Sequence, residues 1–230
     1  MSNTIFDLVI FDCDGVLIDS EIISARMLIE ELARLGVHID LDYVARHFLG
    51  RSYPTVMAQI RREFGLDLPP EFEDQYRERL LDGFRRELKV MPGVADVLQS
   101  LAIPFCVATS SSPRRAEMSL SLTGLRDAIG PRLFTASQVA RGKPAPDLFL
   151  FAAASMGADP ARCLVIEDSL TGIHAAHAAG MQVWHFTGGS HFAARSAPLG
   201  EALPEHRPHR QFDAFAVFYQ TAPHLKSPAT

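Results

Sequence analysis

Two aspartates one residue apart, Asp12 and Asp14, close an apolar run from Phe6 to Phe11 that is interrupted only by Asp7. The run is rich in β-branched and aromatic residues, the pattern of a buried strand. Side chains alternate along a strand, so Asp12 and Asp14 share a face while Cys13 turns to the other. Gly15 then allows a sharp turn. Two carboxylates side by side repel and lose water, and they stay together when a cation joins them or one keeps a proton. A hard divalent cation such as Mg²⁺ takes oxygen ligands, often one or two carboxylates together with a substrate phosphate. The chemistry to expect is therefore metal-assisted chemistry on an anion.

Three later segments offer polar groups in the same setting. Thr109-Ser110-Ser111 follows the apolar stretch Phe105 to Ala108 and precedes a helix opened by Pro113. Hydroxyls and free N–H groups ahead of a helix suit a phosphate. Ser112 is the natural N-cap of that helix, which leaves Thr109 and Ser110 without a capping role. Lys143 lies in Gly142-Lys143-Pro144-Ala145-Pro146, and lysine occurs only at positions 89, 143 and 226 among 22 basic residues. As a compact charge with three donors, it can touch a carboxylate and a phosphate oxygen together. Glu167-Asp168-Ser169 follows the apolar strand Cys163 to Ile166, where a carboxylate can complete a metal shell with Asp12.

The elements that carry these residues alternate. Strands are expected at Phe6 to Phe11, Phe105 to Ala108, Leu133 to Thr135, Cys163 to Ile166 and Gln182 to Phe186, separated by helical stretches. Such alternation implies an α/β fold with a parallel sheet covered on both faces. Ligands of open α/β sheets bind off the carboxyl ends of the strands, where all four polar segments fall. Between Asp19 and Lys89 the pattern is helical throughout. Leu28, Leu32 and Leu35 form one stripe, Val56, Ile60 and Phe64 another, and Phe72, Tyr76, Leu80, Phe84 and Leu88 a third. Residues 19–89 are expected to form a helical domain inserted into a core made of 1–18 and 90–230. A helix is expected to open at Pro92, and the C-terminal stretch is read as loops with a final helix at Asp213 to Tyr219.

Composition narrows the function class. A net charge of −5 and a pI of about 6.0 speak against a nucleic-acid or anionic-membrane surface, and 47% hydrophobic content suffices for a core domain with a small accessory one. Cys13, Cys106 and Cys163, an odd set in apolar runs, suit a reducing cytoplasm. Acidic residues break the N-terminal apolar stretch, so it does not read as a signal peptide, and no run is long enough to span a bilayer.

Phe11-Asp12-Cys13-Asp14-Gly15-Val16-Leu17-Ile18-Asp19-Ser20 resembles motif I of the haloacid dehalogenase (HAD) superfamily. Thr109-Ser110 resembles motif II, Lys143 motif III and Glu167-Asp168 motif IV. The resemblance implies a Rossmannoid core with the subfamily I helical cap. It further implies Asp12 as a nucleophile forming an aspartyl-phosphate and Asp14 as general acid and base. Mg²⁺ would be held by Asp12, the Asp14 carbonyl and Asp168, with Glu167 behind that shell. Thr109, Ser110 and Lys143 would hold the phosphoryl oxygens. Asp14 disfavours dehalogenation, and the lack of lysine at residues 20–88 disfavours a phosphonoacetaldehyde hydrolase. Ser24 stands where β-phosphoglucomutase-like enzymes carry histidine, which favours a phosphatase over a mutase. A receiver-type phospho-acceptor domain is the reading of a different class, disfavoured by the helical insertion. For selectivity, the loop His47 to Ser52 with Gly50 and Arg51 is the candidate, with Arg26 as a further cleft residue. His174 and His177 are read as surface or packing residues. The expected substrate is a small phosphorylated metabolite, a sugar phosphate or sugar-acid phosphate of the 6-phosphogluconate phosphatase kind, handled by a monomer or weak homodimer.

Overall fold

The structure is a computed structural model that describes residues 6–68, 71–194 and 207–228. Its strands are β1 (Leu8–Phe11), β2 (Phe105–Thr109), β3 (Leu133–Thr135), β4 (Cys163–Glu167), β5 (Gln182–Phe186) and β6 (Arg210–Phe212). They form one parallel sheet in the order β3-β2-β1-β4-β5-β6. β1 lies in the middle, with Ile10 in register with Cys106 on one side and Val165 on the other.

The twofold alternation of side chains divides the core in two. Val9, Phe11, Val107, Leu164 and Ile166 face one side, where they pack with Val97, Leu98, Phe215 and Phe218. Leu8, Ile10, Cys106, Ala108 and Val165 face the other, against Phe149, Ala152, Ile173 and Ala176. The helices that bury these faces are α5 (Val94–Ser100), α6 (Pro113–Leu122), α7 (Arg126–Ile129), α8 (Asp147–Ser155) and α9 (Leu170–Ala178). With both faces covered, strands β1, β2 and β4 have no exposed position, which is why they read as unbroken apolar runs. The three cysteines are buried free thiols.

Between β1 and β2, four helices precede α5. In chain order the first four helices are Glu21–Arg34, Leu41–His47, Tyr53–Phe64 and Phe72–Glu87, here α1 to α4 in the same numbering. They close on a hydrophobic cluster of their own, including Leu28, Leu32, Met57, Ile60, Tyr76, Leu80 and Phe84. Leu35 departs from its expected stripe: it follows the last turn of α1 and is 37% exposed. The two chain segments joining this block to the sheet run side by side, with an antiparallel bridge between Ile18 and Val90 and a 2.9 Å hydrogen bond from Asp19 N–H to the Lys89 carbonyl.

The C-terminal region corrects the sequence expectation. A sixth strand, β6, adds to the sheet beside β5. The expected helix at 213–219 is instead a 3₁₀ turn at Phe215–Val217 followed by the short helix Phe218–Thr221. β6 has only three residues, two of them exposed, so it carries no apolar run to betray it. The helix expected to open at Pro92 begins at Val94. Among the described residues, no helix is long and apolar enough to cross a membrane.

Candidate active site

The carboxyl ends of β1, β2 and β4 bring together Asp12, Thr109, Glu167 and Asp168, while Lys143 arrives from the loop before α8. Lys143 Nζ donates to Asp12 Oδ1 at 2.5 Å, to Glu167 Oε1 at 2.7 Å and to the Ala108 carbonyl at 3.1 Å. Its side chain is 1% exposed. Burial works against the ammonium, but Asp12 and Glu167 outweigh it and raise the Lys143 pKa above its usual range. Glu167 is fixed on its other oxygen by Ser169 N–H at 2.8 Å and Ser169 Oγ at 2.9 Å. Ser169 also caps α9, accepting from Gly172 N–H at 3.0 Å. Helix capping is thus Ser169's work, and it leaves Asp168 for the site.

Asp12, Glu167 and Asp168 each place a carboxylate oxygen within 4.8 Å of the other two, and all three are buried. One lysine balances three carboxylates. Burial, followed by the neighbouring carboxylates, pushes the Asp168 carboxyl far above its normal range; Asp12 is likewise raised, first by burial, with Lys143 opposing. Asp168 Oδ2 has no hydrogen-bond partner, and His191 Nε2 lies 3.3 Å from it. A buried, hydrogen-bond-deficient oxygen beside surplus negative charge is the setting that a hard divalent cation fits. Gly15 is needed here. Its φ is +80°, and a Cβ at this position would overlap the Asp168 carboxylate.

Asp14 faces a different set of partners. It accepts from Ser20 Oγ at 2.5 Å, Ser111 Oγ at 2.6 Å, Arg115 Nη2 at 2.7 Å and Thr109 Oγ1 at 3.4 Å. Burial tends to raise its carboxyl, but the Arg115 guanidinium and the two serine hydroxyls prevail and hold it below the usual carboxylate range. Adjacent carboxylates on one strand end are thus pushed in opposite directions by their surroundings. Nearby on α1, Glu21 is raised to about 7, mainly by burial and then by Asp14.

The helical block closes over this edge. The Gly50 carbonyl accepts from Ser110 Oγ at 3.0 Å, and the Leu49 carbonyl from Thr171 Oγ1 at 3.3 Å. Gly50 has φ +73°, and a Cβ there would overlap the Ser169 side chain. A cavity lies between the two parts, lined by Asp12, Asp14, Glu21, Phe48, Arg51 and Arg115 among others. Arg51 is exposed and donates to Gln59 Oε1 at 3.2 Å. Arg26, expected at the cleft, instead pairs with Glu87 on the outer surface, with half its side chain exposed. His177 Nε2 lies 2.8 Å from the Arg207 carbonyl, and its ring stacks on His209, away from the site.

Sequence reasoning named Ser20 and Ser111 only as members of longer segments, without a role, and did not single out Arg115 or His191. Arg115 left a trace. It and Arg114 occupy the first turn of α6, where the helix dipole disfavours cations. Arg115 has a specific carboxylate to answer, and its own pKa is raised by Asp14 and Glu21 in spite of burial.

Residues 6–180 match the model of the haloacid dehalogenase-like hydrolases. The chain belongs to that family. It is an enzyme, a HAD-like phosphatase. Among its relatives, a fructose-1-phosphate phosphatase of Escherichia coli (strain K12) is 36% identical over 183 residues, covering 75% of this chain and 92% of the relative. A 6-phosphogluconate phosphatase of the same organism is 28% identical over 186 residues, covering 80% and 84%. A crystal structure of a HAD family hydrolase from Deinococcus radiodurans, with bound phosphate and sodium, superposes with a TM-score of 0.74 at 33% identity over 98% of this chain and 100% of that one.

Proposed function

We propose that the protein hydrolyses a small phosphorylated metabolite, a sugar phosphate or sugar-acid phosphate, with Asp12 as nucleophile and Mg²⁺ as cofactor. The observation that carries this reading is the buried group of Asp12, Glu167 and Asp168 around Lys143 at the carboxyl edge of the sheet. Asp12 attacks phosphorus and the ester P–O bond breaks, leaving an aspartyl-phosphate. Asp14 gives a proton to the departing oxygen, then takes one from the water that hydrolyses the intermediate. Its pairing with Arg115 keeps the carboxylate ionised when the site is empty, so the first act requires Asp14 to enter it protonated, and the proton taken from water in one turnover is the one given to the departing oxygen in the next. Lys143, Thr109 and Ser110 hold the phosphoryl oxygens. Asp12, Asp168 and the Asp14 carbonyl would hold the metal, with Glu167 fixing Lys143 beside them. When bound, the metal neutralises the repulsion between carboxylate and phosphate.

Residues 19–89 are proposed as a cap domain over a core of 1–18 and 90–230, with Gly50 and Arg51 on the loop that meets the substrate. Ser24 supports hydrolysis over phosphoryl return to a second sugar hydroxyl, since its hydroxyl is engaged with the Ser20 carbonyl at 2.9 Å and Arg115 at 3.2 Å. The three buried free thiols accord with a cytoplasmic enzyme.

Phosphate release from a panel of sugar phosphates and sugar-acid phosphates tests the reading. Turnover is expected with Mg²⁺, is abolished by a chelator and restored by excess Mg²⁺. The Asp12→Asn variant is expected to lose about 10⁴-fold or more in kcat while keeping its circular dichroism spectrum. Turnover indifferent to the chelator, or an active Asp12→Asn, would refute it.

A further inference from the structure

We infer that His191 is a positioning residue for the Asp168 carboxylate, turning it toward the metal by an N–H beside one of its oxygens rather than by binding the ion itself. The inference deepens the phosphatase reading above and rests on it, since that reading gives Asp168 to the metal.

The carboxylates of the cluster are not equally held. Asp12 Oδ1 and Glu167 Oε1 both accept from Lys143, and Glu167 Oε2 accepts from Ser169. The Asp168 main chain is fixed as well, because its carbonyl accepts from His185 Nε2 at 3.0 Å. A carbonyl can only accept, so His185 carries a hydrogen on Nε2. The Asp168 side chain lacks such a hold. Its Oδ2 is buried without a hydrogen bond, and His191 Nε2 stands 3.3 Å from it. That contact is looser than the bonds around Lys143, but a carboxylate that ligates a metal is itself commonly held by a donor on its outer side.

The surroundings of His191 confine its ring to this place. It is 5% exposed and belongs to the short helix Ser190–Ala193. Ser190 ties that helix to the start of the helical block, since its N–H and Oγ both donate to Asp19 Oδ1, at 3.0 and 2.8 Å. Phe192 packs on both histidines, with ring centroids 4.2 Å from His191 and 5.6 Å from His185. Two glycines leave the room that the imidazole fills. A Cβ on Gly189 would lie 2.6 Å from the His191 ring, and one on Gly15 would lie 3.2 Å from it. An imidazole fixed this closely beside a carboxylate oxygen can restrain it by a charge-assisted N–H contact.

Mn²⁺ is the probe, because electron paramagnetic resonance separates its free and bound forms and needs no substrate. The full chain, stripped with a chelator, is expected to bind a single Mn²⁺ that is lost in Asp168→Asn. His191→Leu is expected to weaken this binding about tenfold, and His191→Gln, whose amide can set an N–H where Nε2 stood, to regain most of it. Melting of each metal-free protein separates loss of fold from loss of affinity. If His191→Leu fails to fold, His191→Asn, whose amide ends short of Asp168, takes its place with the same expectation. The spin-echo spectrum of bound Mn²⁺ is expected to lack modulation from a directly bound nitrogen. Three results each overturn the inference and leave the phosphatase reading standing: undiminished affinity in the Leu or Asn variant, a Gln variant no better than these, or a nitrogen bound to the ion. A wild type that binds no Mn²⁺, or binding that survives Asp168→Asn, overturns the metal assignment and the inference together.

Discussion

Lys143 and Arg51 are both cations assigned to the site, and their surroundings differ in kind. Lys143 is 1% exposed on its side chain and has two carboxylates within 2.7 Å, while Arg51 is exposed and bonded to a neutral amide. The same contrast runs through the two regions. At the sheet edge, charged groups are buried and paired tightly, so each fixes the next. In the helical block they lie mostly on the outside in pairs such as Arg26–Glu87 and Arg61–Glu73, with Glu31 a buried exception, held by Arg34 and Arg79. On the reading proposed above, the edge carries the reaction step and the block the choice of substrate.

That contrast can be broken at several points. Lys143→Met should do the most damage, because it leaves Asp12 and Glu167 buried without their cation. Removing one partner of such a group costs about 3–5 kcal/mol; denaturant unfolding in the absence of metal reads it, and added Mg²⁺ should recover part of the loss. A loss below about 1 kcal/mol would mean that the cluster is not held by this pairing. Gly50→Ala comes next. Its positive φ and the overlap with Ser169 together cost about 1–3 kcal/mol of loop seating, expected as a KM increase of about tenfold with kcat less affected. An unchanged KM would show that the loop does not meet the substrate.

Glu31→Gln should lower the melting temperature by about 2–4 °C for each kcal/mol lost, without altering the Mg²⁺ concentration needed for half-maximal rate. A shift in that concentration would mean that the block and the sheet edge are coupled more closely than their separate clusters suggest. The smallest effect belongs to Arg26→Ala, since an exposed pair is worth about 0–1 kcal/mol. Unfolding and kinetics should both be nearly unchanged, and a clear change in substrate preference would return Arg26 to the cleft.

The sheet was legible because strands buried on both faces write themselves as apolar runs, and polar residues at their carboxyl ends then stand out. Asp12, Thr109, Glu167 and Asp168 were found that way, and Lys143 by the rarity of lysine and its Gly-Lys-Pro setting, from four segments read separately. What local sequence lacks is the through-space partner. Nothing near Ser111 or Arg115 announces that Asp14, 97 and 101 residues earlier, is their acceptor. His191 sits on the short helix Ser190–Ala193, too brief to carry a pattern. Leu35 was misread because its spacing fits an inward stripe although it lies just past the last turn of α1, and Arg26 was expected at the cleft although Glu87 of α4 takes its charge. β6 was missed because an edge strand of three residues needs no apolar alternation.

Ser110 has a single hydroxyl proton, and in this structure the Gly50 carbonyl takes it. If that hydroxyl also serves the phosphoryl group, ester and loop compete for one donor, and arrival of the ester must prise the loop away. On the same condition the contest would run in reverse after hydrolysis: the loop, settling back, would bid against the inorganic phosphate left behind. One proton would then link admission of one molecule to dismissal of the last.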